Sequence, residues 1–238
     1  VINDSILVIN RSGMISLDGN ISGTGMLLQN SPSTLILSGT NSYTDQTLVV
    51  AGTLLVNGNQ SAATGPTFVL PGASLGGTGV IGGDVWMNIG SNLNPGDGAG
   101  TLTINGNLTL DPGSILNFQL GESGVAGGAR NDLVNVGGDL FLAGTLNVTE
   151  SAGGSFGPGL YRLFNYGGTL SGLGLTLGAM PAGSDVFVNT NIAGQVNLIN
   201  QAGLSLNVWD GPAGGRGDGQ ITGGPGVWQV GGGARDWA

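Results

Sequence analysis

The stretch TLILSGTNSYTDQTLVVAGTLLVNG, residues 34–58, decides the fold. Short runs that alternate apolar and small polar residues are cut by glycine-bearing bends, LSG at 37–39 and VNG at 56–58. Alternation at period two belongs to a strand whose side chains point by turns to opposite faces, so Leu54 and Val56 face inward while Thr53, Leu55 and Asn57 face outward. Glycine at the corners permits positive φ and tight bends. A single strand of this kind cannot bury its apolar side alone. Stacking like rungs about 4.8 Å apart gives each one a floor and a ceiling, which is why such a chain repeats.

The repetition continues beyond this stretch. GTLLVNG at 52–58 returns as GTLTING at 100–106 and GTLNVTE at 144–150. The spacings suggest about two rungs between copies if a rung takes roughly 22 residues, and about ten or eleven rungs over the chain, a rod near 50 Å long. Further short strands are expected at 68–70, 108–110, 115–120, 133–136 and 140–142. The inward rule extends to Leu102 with Ile104, Leu146 with Val148, Leu175 with Leu177, Val196 with Leu198, and Leu204, Leu206 and Val208. The expected class is all-β, a right-handed parallel β-helix. The alternative is a β-sandwich, which also joins short strands by turns but pairs them as hairpins with less repetition of one phrase.

Composition supports this class. The chain has 50 Gly in 238 residues, against a usual share of about 7 %, yet without a G-X-Y period and with Leu, Val and Ile interspersed. Collagen and plain linker therefore fit poorly. Helix is disfavoured by the glycine density and by the lack of a long apolar stripe at 3.6 spacing. Cysteine and histidine are absent and the net charge is −9. An acidic surface without basic patches repels phosphate backbones, so nucleic acid is not expected as a partner. The start of the sequence carries no signal-peptide pattern, and no run of about 18 apolar residues occurs, which reads as an excised soluble segment.

The same inventory limits enzyme chemistry. Ser-His-Asp and Cys-His sites lack their His or Cys, and zinc sites built on thiolate or imidazole are excluded likewise. What remains is carboxylate chemistry of the kind polysaccharide-active enzymes use. The candidates are Asp84, Asp97, Asp111, Asp132 and Asp139, with Asp132 near Arg130 the one acid-base cluster. Asp84, Asp97 and Asp139 adjoin glycine and Asp111 precedes Pro112, so solvated corner residues are the plainer reading. Tyr161, Phe164 and Tyr166 are read as local packing or a carbohydrate platform, and Trp86 as a residue that caps a rung. The expected ligands include no cofactor and no metal.

Residues 22–58 closely resemble the passenger-associated transport repeat of bacterial autotransporter proteins, with the form GTLxLSGxNxYTGxTxVxxGTLxVNG. The resemblance rests on Thr34, Leu35, Leu37, Ser38, Gly39, Asn41, Tyr43, Thr44, Thr47, Val49, Gly52, Thr53, Leu54, Val56, Asn57 and Gly58. Ser33 and Asp45 stand where that phrase has glycine. Residues 1–208 then read as a β-helical passenger segment, and 209–238, with Trp209, Trp228 and Trp237, as a glycine-rich spacer or the start of a further repeat block, expected to be the least ordered. The resemblance implies export by type V secretion through an outer-membrane translocator barrel outside this sequence, and a location on the bacterial cell surface or secreted from it. It further implies a virulence-type role as stalk or adhesin, with self-association or a host surface receptor as possible partners, or a secretion and folding scaffold. Arg216, Gly217 and Asp218, flanked by glycine, resemble an integrin-binding tripeptide and are the candidate receptor-binding residues. The 22 Asn, with Thr and Ser, are expected to form polar ladders on the outer faces.

Overall fold

In a computed structural model the chain forms two compact units, Val1–Ala202 and Gly203–Ala238. The structure describes residues 1–204, so the architecture below is that of the first unit. Its strands wind round one axis in eight coils, each contributing up to three sides. The first two coils are built from β1 (Ile6–Ile9) with β2 (Met14–Leu17), and from β3 (Met26–Leu37), which bends across two sides; the third is built from β4 (Thr47–Val56), bent likewise, with β5 (Asn59–Gln60). Coil four has β6 (Thr67–Val69), β7 (Ser74–Gly77) and β8 (Val80–Ile81), and coil five β9 (Val85–Met87), β10 (Asn92–Pro95) and β11 (Thr101–Ile104). Coil six has β12 (Leu108–Leu110), β13 (Ile115–Leu120) and β14 (Leu133–Val136), and coil seven β15 (Leu140–Leu142), β16 (Thr145–Glu150) and β17 (Gly159–Tyr166). Coil eight has β18 (Leu170–Gly172) and β19 (Thr176–Leu177), and a hairpin of β20 (Val186–Asn189) and β21 (Gln195–Asn200) follows.

The first face stacks β1, β3, β4, β6, β9, β12, β15 and β18; the second stacks β2, β3, β4, β7, β10, β13, β16 and β19; the third stacks β5, β8, β11, β14 and β17. All pairings within these stacks are parallel, and because β4 belongs to two faces, an eleven-strand sheet curls 285° round the axis. This is the right-handed parallel β-helix expected from the sequence; the sandwich alternative falls with the parallel pairing.

Register explains the core. On the second face Ile15, Leu35, Leu54, Leu75, Leu93, Leu116, Leu146 and Leu177 pair in succession, one apolar column running through eight coils. Leu54 is 1 % exposed, and Leu35, Leu75, Leu93, Leu116 and Leu146 are wholly buried. Each such side chain contributes about 2–3 kcal/mol by leaving water, and each depends on the coil before and after it.

Three expectations need correction. The rung is not uniform: Thr47 pairs with Thr67, a step of 20, but Leu108 pairs with Leu140, a step of 32. The added length is an excursion at 121–132, held by buried Asn131. Its Oδ1 accepts from Gly121 N at 2.9 Å, and its Nδ2 donates to Glu122 O at 2.7 Å and Val125 O at 2.8 Å. Second, the three GTL phrases do not share a face. Thr53 and Thr145 open second-face strands, whereas Thr101 opens β11 on the third. The phrase encodes entry into a strand after a bend, and more than one corner uses it. Third, Leu177 is 40 % exposed and Leu175 only half-buried, because β19 is the last strand of its face among the described residues and has no ceiling there. Leu204 is exposed, and Leu206 and Val208 lie outside the described residues, as does the expected spacer at 209–238.

Winding on the third face stops at β17. β21 pairs with it antiparallel, and β20 pairs antiparallel with β21.

Candidate functional site

With inward positions filled by the core, the outward columns are what the coils offer to other molecules. On the second face Asn117 Nδ2 donates to Asn94 Oδ1 at 2.8 Å, Asn147 Nδ2 donates to Asn117 Oδ1 at 2.9 Å, and Asn147 Oδ1 accepts from Ala179 N at 2.8 Å. The third face has a shorter ladder in which Asn165 Nδ2 donates to Asn135 Oδ1 at 2.8 Å, and the Arg162 guanidinium closes it by donating to Asn165 Oδ1 and Asn197 Oδ1. These are the polar ladders expected from composition. Equivalent amides one rung apart satisfy both donor and acceptor.

The first face departs from that expectation. Its outward column pairs Val8, Leu28, Leu48, Phe68, Trp86, Thr109 and Phe141 in unbroken succession. Phe68 and Trp86 stack with ring centroids 5.1 Å apart and planes 20° apart. Trp86 therefore continues a column rather than capping a rung, and the two rings turn their faces to each other. The apolar residues are each visible in the sequence, but their alignment depends on steps of 20, 20, 20 and 18 residues from Val8 to Trp86 and then of 23 and 32, which the assumption of a uniform 22 conceals.

The candidate carboxylates scatter. At one corner Asp84 Oδ1 accepts from Asn107 N at 2.8 Å, Asn107 Oδ1 from Asp139 N at 2.7 Å, and Asp139 Oδ1 from Thr169 N at 2.6 Å. Asp84 and Asp139 thus join successive coils. Asp111 turns the chain, its carbonyl accepting from Ser114 N at 2.9 Å. Asp97 and Asp132 line one groove of about 280 Å³ with Asn94, Asn117, Gln119 and Thr149. Arg130 is exposed, while Asp132 is buried. Asp132 Oδ1 accepts from Gly100 N at 2.8 Å and Oδ2 from Gln119 N at 2.7 Å, so both oxygens latch backbone across a corner.

Burial pushes the Asp132 carboxyl up to about 7, against the opposing pull of its two amide donors. A carboxyl raised on folding binds its proton more tightly in the folded state. Its contribution to stability is then fully present below the unfolded value of 3.8 and is lost as pH rises through about 7. Between pH 5 and 8 the wild type is expected to lose on the order of 2–4 kcal/mol relative to Asp132→Asn. Denaturant titrations of both proteins at each pH test this, and parallel pH profiles would refute it.

The residues of the repeat phrase lie in coils two and three. Leu35, Leu37, Leu54 and Val56 are core, and Thr53 and Thr44 point outward. Asn41 is wholly buried and its Oδ1 accepts from Ile21 N at 2.6 Å. Tyr43 is buried with its hydroxyl 2.6 Å from Thr47 Oγ1. Asn57 Oδ1 accepts from Thr78 N at 3.1 Å, and the α-carbons of Gly39 and Gly58 lie against the backbone of the coil below. Gly52 has φ +72°. Tyr161 and Phe164 are fully buried, packed against Phe156 and Phe118, so they belong to the core and offer no carbohydrate platform. Arg216, Gly217 and Asp218 lie outside the described residues.

No family model matches the chain. It is 52 % identical over 225 residues, 93 % of its length, to the adhesin BmaC autotransporter of Brucella suis biovar 1 (strain 1330). It is also 29 % identical over 134 residues, 56 % of its length, to an extracellular serine protease of Serratia marcescens. The chain spans 6 % and 12 % of those two relatives. The shared sequence is thus a small part of much longer proteins of different names, as befits a structural repeat. Joined to the parallel β-helix and the repeat phrase at 34–58, the identity to BmaC over nearly the whole chain shows that this protein belongs to the bacterial autotransporters, as a segment of their passenger domain.

Proposed function

We propose that this chain is a surface-exposed, non-enzymatic segment of an autotransporter passenger that acts as a β-helical stalk or adhesin in cell aggregation or host attachment. The observation that carries the reading is its 52 % identity to a protein named as an adhesin. The carboxylates support it, since Asp84, Asp139 and Asp132 are engaged with backbone amides of neighbouring strands. The partners of this reading are a cognate translocator barrel, neighbouring passengers and a host surface receptor; many weak contacts along stacked coils add through multivalency.

The test is surface display on otherwise non-clumping cells of the intact passenger, the passenger lacking this segment, and an Asp218→Glu variant. Loss of aggregation or attachment on deletion, with equal passenger exposed, is the expected result. Loss of host attachment in the Asp218→Glu variant would assign receptor capture to Arg216, Gly217 and Asp218. A second reading, a secretion and folding scaffold, is favoured by the coil-on-coil dependence of the core, and it prevails if deletion lowers the amount of passenger exposed without changing adhesion per molecule.

A further inference from the structure

Two Asn-Gly dipeptides occur in the chain, at 57–58 and 105–106, and both stand at corners between strands. The fold treats them differently. Gly58 N donates to Leu37 O at 2.8 Å, Asn57 Oδ1 accepts from Thr78 N at 3.1 Å, and Asn57 is half-buried. Asn105 is exposed at a bend, its side chain bonded to none of the described residues, and Gly106 N meets no acceptor among them. Stacking makes the glycine obligatory here, since a methyl on Gly106 would run into Asp84 Oδ1 and lie 2.7 Å from both Asp84 N and the carbonyl carbon of Gly83 one coil below.

We propose that Asn105 is a site of spontaneous covalent modification in the folded chain, closing onto the Gly106 amide as a succinimide that hydrolyses to aspartate and isoaspartate. An asparagine reacts in this way when the amide nitrogen of the next residue is free to approach its side-chain carbonyl. The bond from Gly106 N to Asn105 Cγ forms as the Cγ–Nδ2 bond breaks, the Gly106 amide proton leaves with Nδ2 as ammonia, and water then opens the imide at either carbonyl. No oxidant or cofactor enters. An amide already donating, or a side-chain oxygen already accepting, must first give up its hydrogen bond. Glycine leaves the nitrogen unshielded because it has no Cβ. Asn57 with Gly58 carries both restraints and Asn105 with Gly106 carries neither. This chemistry does not depend on the adhesive reading.

The product alters the corner in two ways. It adds a negative charge next to the stretch where Asp84, Asn107 and Asp139 already join successive coils. As isoaspartate it also inserts one extra carbon into the main chain, between two bonds that lace coil five to coil six: Gly137 N donates to Ile104 O at 2.7 Å, and Gly138 N donates to Gly106 O at 3.0 Å. Both changes loosen this corner, and the modified fraction grows with the age of the molecule.

The test incubates all 238 residues over days in mildly alkaline buffer, where the amide nitrogen is more readily deprotonated, then maps the digested chain by mass spectrometry with isoaspartyl methyltransferase labelling. Asn105 is expected to convert at least about tenfold faster than Asn57, the factor implied by two hydrogen bonds that must break only at Asn57. In urea, where neither dipeptide is restrained, the two should convert at similar rates. Asn105→Gln, whose longer side chain would have to close a larger ring, should remove the product from the folded chain. Aged wild type should melt below equally aged Asn105→Gln.

Equal rates at Asn57 and Asn105 in the folded chain, or faster conversion of Asn57, would overturn the proposal. An unmodified Asn105 in a folded chain whose urea-unfolded form converts at both dipeptides would overturn it as well. A rate difference that persists in urea would give the selectivity to neighbouring residues instead of the fold, with the same result. Unchanged melting of wild type in which Asn105 has converted would overturn the loosening of the corner.

Discussion

Leu54→Ala, Leu102→Ala and Leu146→Ala are each expected to cost about 2–5 kcal/mol of stability, the range for truncating a buried leucine and leaving a cavity. Leu102 and Leu146 are wholly buried and Leu54 is 1 % exposed. The floor and ceiling of Leu54 are Leu35 and Leu75, and those of Leu146 are Leu116 and Leu177. Strands hydrogen-bonded on both sides have little freedom to close a cavity, so the cost should fall towards the upper part of the range. Asn57→Ser, at a partly buried outward position whose amide oxygen accepts one bond from Thr78 N, is expected to cost under about 1 kcal/mol. Equal shifts in urea midpoint for the two classes would refute the assigned inward side. Because stacked coils need not unfold in a single step, the comparison should be made with two probes.

Gly52→Ala is the second large expected effect. Gly52 sits at the bend of β4 with φ +72°, and an added methyl would run into the backbone carbonyls of Ser31 and Ser33 in the coil below. Gly72 supplies the control, since it has φ +81° but open space where its methyl would go. Gly72→Ala should show only the conformational penalty, about 1–2 kcal/mol. Gly52→Ala should cost on the order of 3 kcal/mol or more, because backbone cannot swing aside as a flexible side-chain tip does. Similar melting temperatures for the two variants would mean that the coils are less tightly stacked at this corner than the structure shows.

Much of the fold was legible because period-two alternation and glycine punctuation report local geometry directly. Leu54 with Val56, Leu102 with Ile104 and Leu146 with Val148 all point inward as the alternation requires. Alternation carries no information about which side of a coil a strand occupies, and for that reason it does not show that the phrase at 100–106 opens a strand on the third face while its two counterparts open strands on the second. Coil length is set by loops such as 121–132, and no local pattern counts them. The outward columns depend on both quantities. The asparagine ladders are expected from composition, whereas the apolar column from Val8 to Trp86 requires the register of every intervening coil. Asp132 was singled out for its proximity to Arg130. The structure gives it a different part, since its carboxylate is held by Gly100 N and Gln119 N.

Parallel partners lie near one another along the chain: 20 residues separate Ile6 from Met26, 23 separate Val85 from Leu108, and 32 separate Leu108 from Leu140. Such a topology has low contact order for a β protein, since each strand needs only the preceding turn of the helix as a template. The entropic cost of closure is therefore met one short loop at a time, instead of through a nucleus that gathers distant segments. A polypeptide of this design can become ordered vectorially from one end while the remainder is still extended, so its folding is compatible with passage through an opening only wide enough for unfolded chain.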